Sequence, residues 1–147
     1  ETDYQAVAGS FLVSCDNAHA VHPNHGEKTD AVNCSWMNKG IVIKESANQK
    51  YTTDAFSRAV FTNVCNEAGV PVQVFANRSD ILGGSTLGNL SNTQVSVHAV
   101  DIGLPQLAMH SCYETAGVKD VEYAISALTK FYQTTLQIEG AESAMFE

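Results

Sequence analysis

The chain reads as an α/β domain, a mixed β-sheet sandwiched by helices. Three observations predict this. Short apolar runs bounded by turn residues interleave with amphipathic segments instead of grouping at one end. The amphipathic segments repeat apolar residues every three or four positions, whereas at least one of the runs alternates in twos. A length of 147 residues suffices for a single core, burying roughly two-thirds of the surface of the unfolded chain.

Taken in order, the first strand is expected over Phe11 to Cys15 and the second over Gly40 to Lys44. A helix follows, because Phe56, Val60 and Val64 fall on one stripe beside Phe61 and Ala68. Thr52 or Thr53 is its expected N-cap, Gly69 its C′ residue, and Pro71 lies just beyond. The third strand is Pro71 to Phe75. The fourth is Val95 to Val100, where Val95, Val97 and Ala99 alternate with Ser96 and His98. A last helix is expected from Val118, Val121, Ile125, Leu128, Tyr132 and Leu136, with Asp120 capping its first turn. Two stretches lack periodicity, Asn17 to Lys39 and Ser79 to Asn92, and loops of more than ~15 residues in small domains usually serve function.

Composition excludes several partners. Sixteen acidic against eight basic residues give a net charge of −8, a field that repels nucleic acid and anionic membrane surfaces. No apolar run approaches the ~20 residues needed to span a bilayer. Charged residues make up only 16%, against about 25% in ordinary domains, so part of the surface is expected to be covered. Cys15, Cys34, Cys65 and Cys112 are scattered, which suits free cytosolic thiols better than a disulfide framework. With no basic and apolar leader after Glu1, a cytoplasmic location is expected, and the Asn-x-Ser triplets at Asn33, Asn77 and Asn89 are taken as chance.

Chemistry concentrates just after the first strand. Asp16, His19, His22 and His25 recur at intervals of three, at a strand's carboxyl end where ligands gather in α/β folds. As a bare pattern this matches no closed zinc site, and hydrogen-bonded loop histidines would have the same spacing. His110 occupies a second loop downstream of a strand. Lys44 ends an apolar strand, which also suits a snorkelling surface lysine. Gly83-Gly84-Ser85-Thr86-Leu87-Gly88 lacks the Lys-Ser/Thr ending of a phosphate-binding loop.

Read together, four segments resemble the successive signatures of the aspartyl aminopeptidase family. They are Ser14-Cys15-Asp16-Asn17-Ala18-His19-Ala20-Val21-His22-Pro23-Asn24; Gly40-Ile41-Val42-Ile43-Lys44 with Ala47-Asn48-Gln49-Lys50-Tyr51-Thr52; Asp80 with Gly84-Ser85-Thr86-Leu87-Gly88; and Asp101-Ile102-Gly103 with Pro105-Gln106-Leu107-Ala108-Met109-His110-Ser111. The resemblance implies a cocatalytic zinc aminopeptidase (a metalloprotease and hydrolase) with two zinc ions per complete active site. It implies that residues 1–147 form the C-terminal segment of its catalytic domain, and that the full protein builds homo-oligomers. Asp16 would ligate one metal and His110 the other. His19 and His22 would support those ligands or the assembly, and Lys44, Ser85 and Thr86 would line the pocket for a peptide's N-terminal, acidic residue.

No catalytic general base is expected in this chain. The family's remaining metal ligands and adjacent Glu-Glu pair would lie upstream, so the isolated chain is expected to be inactive without the rest of the same catalytic domain. Tyr113 stands where many members carry arginine, and Leu82-Gly83-Gly84 replaces a common Pro-Cys-Gly. Two other readings remain open: a non-catalytic assembly or peptide-binding domain that keeps the fold, and a self-sufficient site formed by Asp16, His19, His22 and His25.

Overall fold

A computed structural model describes residues 2–146. It is mixed α/β, with a central four-stranded sheet in the order β1-β5-β3-β4. Helix α1 (Thr2–Ala8) leads into β1 (Phe11–Cys15), followed by the short β2 (Ala18–His19) and a long irregular segment. Then come β3 (Ile41–Lys44), α2 (Ala55–Glu67), β4 (Val72–Phe75), α3 (Leu87–Gln94), β5 (His98–Gly103), β6 (Pro105–Leu107) and β7 (Thr115–Ala116). Helix α4 (Val118–Gln133) and the hairpin β8 (Leu136–Ile138) and β9 (Ala144–Phe146) complete the chain. β1 runs parallel to β5 and β3 parallel to β4, while β3 and β5 are antiparallel.

Strand alternation gives the sheet two different faces. Ile41, Ile43, Val100 and Ile102 join Phe61, Cys65, Val70 and Ala127 in an apolar core under α2 and α4. Within it, burial pushes the Cys65 thiol up to about 12, so it behaves as a small apolar group. Val42 points the other way, into a smaller cluster with Ala18, Tyr51 and Phe75. α3 packs on β1 and β5. The β1–β2 ribbon runs alongside β5–β6, with Asp16 N donating to Ile102 O at 2.9 Å and Ala18 N to Leu104 O at 2.9 Å. At this crossing Gly103 is required, because any Cβ there would overlap the backbone of Asp16 and Asn17.

Five sequence expectations need correction. The fourth strand begins at His98, not Val95, and continues to Gly103; Val95 and Ser96 are exposed. Asp54, not Thr52 or Thr53, caps α2, its carboxylate accepting from Ser57 N at 2.7 Å while Ser57 Oγ accepts from Asp54 N at 3.0 Å. Part of the second loop folds as α3, which carries no apolar stripe to announce it. α4 ends at Gln133, and Leu136 belongs to β8. Its inward face is also rotated: Tyr123, Ala124, Ala127 and Leu128 pack on the core, whereas Val118, Val121, Ile125 and Tyr132 are exposed. The C′ glycine of α2 holds, with Gly69 at φ +66°.

Asp120 does more than favour a helix start, and its carboxylate is not a cap for α4. It is fully buried at the third position of α4. Its Oδ2 accepts from Asn38 N at 2.6 Å and its Oδ1 from Gly40 N at 3.0 Å, tying the end of the long loop to the start of β3. Asp120→Ala would strand both buried N–H groups at a cost of about 2–3 kcal/mol. For a domain of this size that lowers Tm by roughly 5–10 °C; an unchanged melting curve measured by circular dichroism would show that the turn is held otherwise.

Candidate active site

Lys44 is the most unusual residue of the sheet. It ends β3 on the same face as Val42, and its side chain is only 2% exposed. An ammonium buried without partners is costly, and here three groups offset that cost. Asp16 Oδ2 lies 3.5 Å from Nζ, the Tyr51 ring centroid lies 5.0 Å below it, and the Asp101 carboxylate acts on it from β5. Burial pushes the ammonium below the usual lysine range, and Asp16 and then Asp101 hold it partly up.

Asp101 is fully buried. Its Oδ2 accepts from Thr52 N at 2.6 Å and Thr52 Oγ1 at 2.8 Å, and its own N–H donates to Thr53 Oγ1 at 2.9 Å. This explains why neither threonine caps α2: both are spent on fastening the loop that carries Tyr51. Asp101 is the site residue to which sequence reasoning gave no role. Its place within an apolar strand, in Val100-Asp101-Ile102, was the available signal.

Asp16 follows β1 and is exposed, as is His110 in the loop after β6. That loop is unusual in its backbone: Ala108 and His110 take φ of +54° and +68°, left-handed values rare outside glycine. His110 N donates to Glu114 Oε1 at 2.6 Å and Ser111 N to Ala108 O at 3.0 Å, which holds the turn. His19 lies among these residues. Burial first, then His110 and Lys44, hold its imidazole below the usual histidine range, with Asp16 opposing. Lys44, Asp16 and His110 thus each act on His19, and Asp16 also acts on Lys44, near the carboxyl ends of β1 and β3.

His19 also lines a cleft of about 270 Å3 with His22, Tyr51, Asn77, Gly83 and Gly84. Larger hollows of about 890 and 840 Å3 run along α2 and between α1 and the C-terminal hairpin, but none of Asp16, His19, Lys44 or His110 lines them. Of the other residues singled out from sequence, Ser85 is exposed and its Oγ accepts from Asn89 Nδ2 at 2.9 Å. Thr86 is buried, and its Oγ1 has no hydrogen-bond partner among the described residues. Neither lines the cleft. His22 is exposed, its Nδ1 accepting from Asn24 N at 3.1 Å, with its ring 5.2 Å from that of His25.

Among the described residues no three His, Cys, Asp or Glu side chains gather closely enough to hold a metal ion. The local site of Asp16, His19, His22 and His25 is therefore not formed: His25 turns away to pair with Glu27 at 3.1 Å. Asp16 and His110 do present one carboxylate and one imidazole to solvent, both donor types that zinc accepts. Each is a single donor of a suitable type, and neither has enough neighbours among the described residues to close a site.

Residues 1–132 match the family model described as aminopeptidase I zinc metalloprotease (M18). A probable M18 family aminopeptidase 2 of Clostridium novyi is 50% identical over 132 residues, covering 90% of this chain and 30% of that protein. A namesake from Ectopseudomonas mendocina is 45% identical, covering 88% and 30%. The chain thus spans about 30% of the length of these curated relatives. Among solved structures, the cryo-EM structure of an Ape4 and Nbr1 complex superposes with a TM-score of 0.87 at 42% identity, over 88% of this chain and 25% of that one. A dodecamer of mApe1 from Saccharomyces cerevisiae gives 0.79 at 26% identity, over 88% and 28%.

The loop that Asp101 fastens supplies a test of this geometry. Asp101→Ala leaves Thr52 N–H unpaired and Lys44 short of an anion, so stability should fall by about 2–4 kcal/mol. Urea denaturation gives the magnitude, and limited proteolysis should show new cleavage within residues 45–54. A variant with wild-type midpoint and wild-type protection would show that other contacts hold the loop.

Proposed function

The chain belongs to the M18 family of aminopeptidase I zinc metalloproteases, and we propose that it forms the C-terminal part of the catalytic domain of an aminopeptidase that releases acidic N-terminal residues from peptides. The family's members are enzymes. What carries the reading for this chain is the buried Lys44 ammonium, paired with Asp16 and seated over the Tyr51 ring, a ring that itself lines the cleft together with His19.

In the proposal Asp16 and His110 each give one donor to one of two zinc ions, whose remaining ligands come from upstream parts of the same catalytic domain. Zinc, when bound, supplies Lewis acidity toward the scissile carbonyl and the attacking water. His19, whose imidazole is held below the usual histidine range by burial first, offers a hydrogen-bonding group next to the donors. Lys44 carries the selectivity. Its ammonium is fixed by Asp16 and the Tyr51 ring, and it offers a short-range charge-assisted contact to an Asp or Glu side chain. The net charge of −8 disfavours long-range attraction of acidic peptides, so preference must arise at contact distance.

Two surface features support a chain that works within something larger. Val118, Val121, Ile125 and Tyr132 form an exposed stripe along α4, and Leu87 and Leu90 are exposed on α3. Solvated elements seldom expose so many large apolar residues in rows. The rest of the catalytic domain, and further copies of the protein in a homo-oligomer, are the proposed cover. Among the described residues no helix is long and apolar enough to cross a membrane.

Two outcomes follow. The purified 147-residue chain should bind zinc only weakly by competition with a chromophoric chelator, and should not turn over aminoacyl-nitroanilides, because a zinc site with one protein donor lacks two or more of its ligands; chelator-sensitive turnover would contradict the proposal. In the complete enzyme, Lys44→Met should lower kcat/KM for Asp-nitroanilide by about 10–100-fold, the loss expected for a charge-assisted contact. Leu-nitroanilide should be far less affected, and unchanged discrimination between the two would remove Lys44 from the pocket.

A further inference from the structure

The floor of the cleft holds a contact that the reading above does not use. Tyr51 is 8% exposed, and its hydroxyl accepts a hydrogen bond from Asn77 Nδ2 at 3.1 Å. Asn77 lies just past the end of β4, and both residues line the cleft together with Gly83. The glycine is what lets the asparagine sit there. A Cβ on residue 83 would lie 2.5 Å from Asn77 Nδ2 and 3.2 Å from Cγ, so that the amide donating to Tyr51 would have to shift. The φ of Gly83 is not in the left-handed region, so its requirement is for space, not conformation. It falls in the Leu82-Gly83-Gly84 stretch of the second long loop.

We propose that Asn77, seated against Gly83 and bonded to Tyr51, sets the depth of the side-chain subsite, so that positions 77 and 83 act as a coupled specificity determinant. The inference rests on the cleft receiving the substrate's N-terminal residue. The same Tyr51 ring supports the Lys44 ammonium at 5.0 Å, so the bond that fixes the phenol also fixes where the cation sits relative to the cleft floor. A side chain at 83 displaces the Asn77 amide into the roughly 270 Å3 of open cleft beside it, shortening the subsite. A longer side chain, Glu, then suffers more than Asp.

The test is a double-variant cycle in the complete enzyme, with Asp- and Glu-nitroanilide as substrates. Gly83→Ala should raise KM for the Glu substrate about 10-fold, the scale of one misplaced methyl group in a pocket, with less effect on the Asp substrate and kcat within about 2-fold. Adding Asn77→Ala should bring KM back to within about 3-fold of wild type, since the displaced group is gone. Asn77→Ala alone should shift preference toward Glu, which keeps the proposal testable if Gly83→Ala folds poorly. Equal KM changes for both substrates, no restoration in the double variant, or an unchanged Asp/Glu preference in Asn77→Ala would each overturn it. Lys44→Met assayed alongside separates the two readings: if it still costs acidic substrates selectively while the cycle shows no coupling, the subsite proposal fails and the functional one stands. If Lys44→Met is without selective effect, it is the functional reading that fails.

Discussion

The burial of one ammonium group organises much of this structure. Lys44 ends a strand whose other residues, Ile41, Val42 and Ile43, are also buried, so its side chain has no route along the sheet to water. It must be met by anions and polarisable groups where it stands. Asp16 comes from the end of β1, Asp101 from the middle of β5, and Tyr51 from the loop after β3. Three separate stretches of chain are brought to one point by a single charge. Each in turn recruits its own partners: Thr52 and Thr53 for Asp101, Asn77 for Tyr51.

The period of two along β3 separates structure from chemistry. Ile41 and Ile43 face α2 and α4 and join a core of wholly apolar groups, while Val42 and Lys44 face the opposite side. β5 repeats the division, with Val100 and Ile102 in that core and Asp101 toward Lys44. The antiparallel pairing of Ile43 with Ile102 sets the level of Asp101 beside Lys44. A slip of one residue would turn every one of these side chains to the wrong face, so the apolar face and its helices fix the register on which the polar face depends.

Apolar runs and helical spacing made β1, β3, β4 and α2 legible with small errors at their ends. β5 was misplaced because the alternation of Val95, Val97 and Ala99 begins before the strand does, while the buried segment contains an aspartate and a glycine that read as loop. α3 was hidden because Leu87 and Leu90 face outward and the rest of the helix is polar. In α4 the most regular stripe turned out to be the exposed one. Periodicity finds a helix but does not say which of two apolar faces this part of the chain covers. Residue types alone left Asp16, His19 and Lys44 ambiguous, and only the order of four motifs tied them together. Asp101 was flagged only by standing in an apolar run, and its role and that of Asn77 depend on partners 26 to 49 positions distant, which no local pattern records.

The two left-handed residues flanking Met109 have a consequence of their own. Each costs about 1–2 kcal/mol compared with an ordinary backbone conformation, since neither is glycine. A chain under selection for robustness alone would accept glycine at both positions, or a longer, relaxed turn. Keeping Ala108 and His110 there makes the loop a strained turn whose backbone is latched by Glu114. A turn held in this way is insensitive to what lies in front of it. The Cα–Cβ bond of His110 would leave the loop in the same direction before any ligand arrives as after, and the entropy of ordering that backbone would be spent once, when the chain folds, instead of at every binding event.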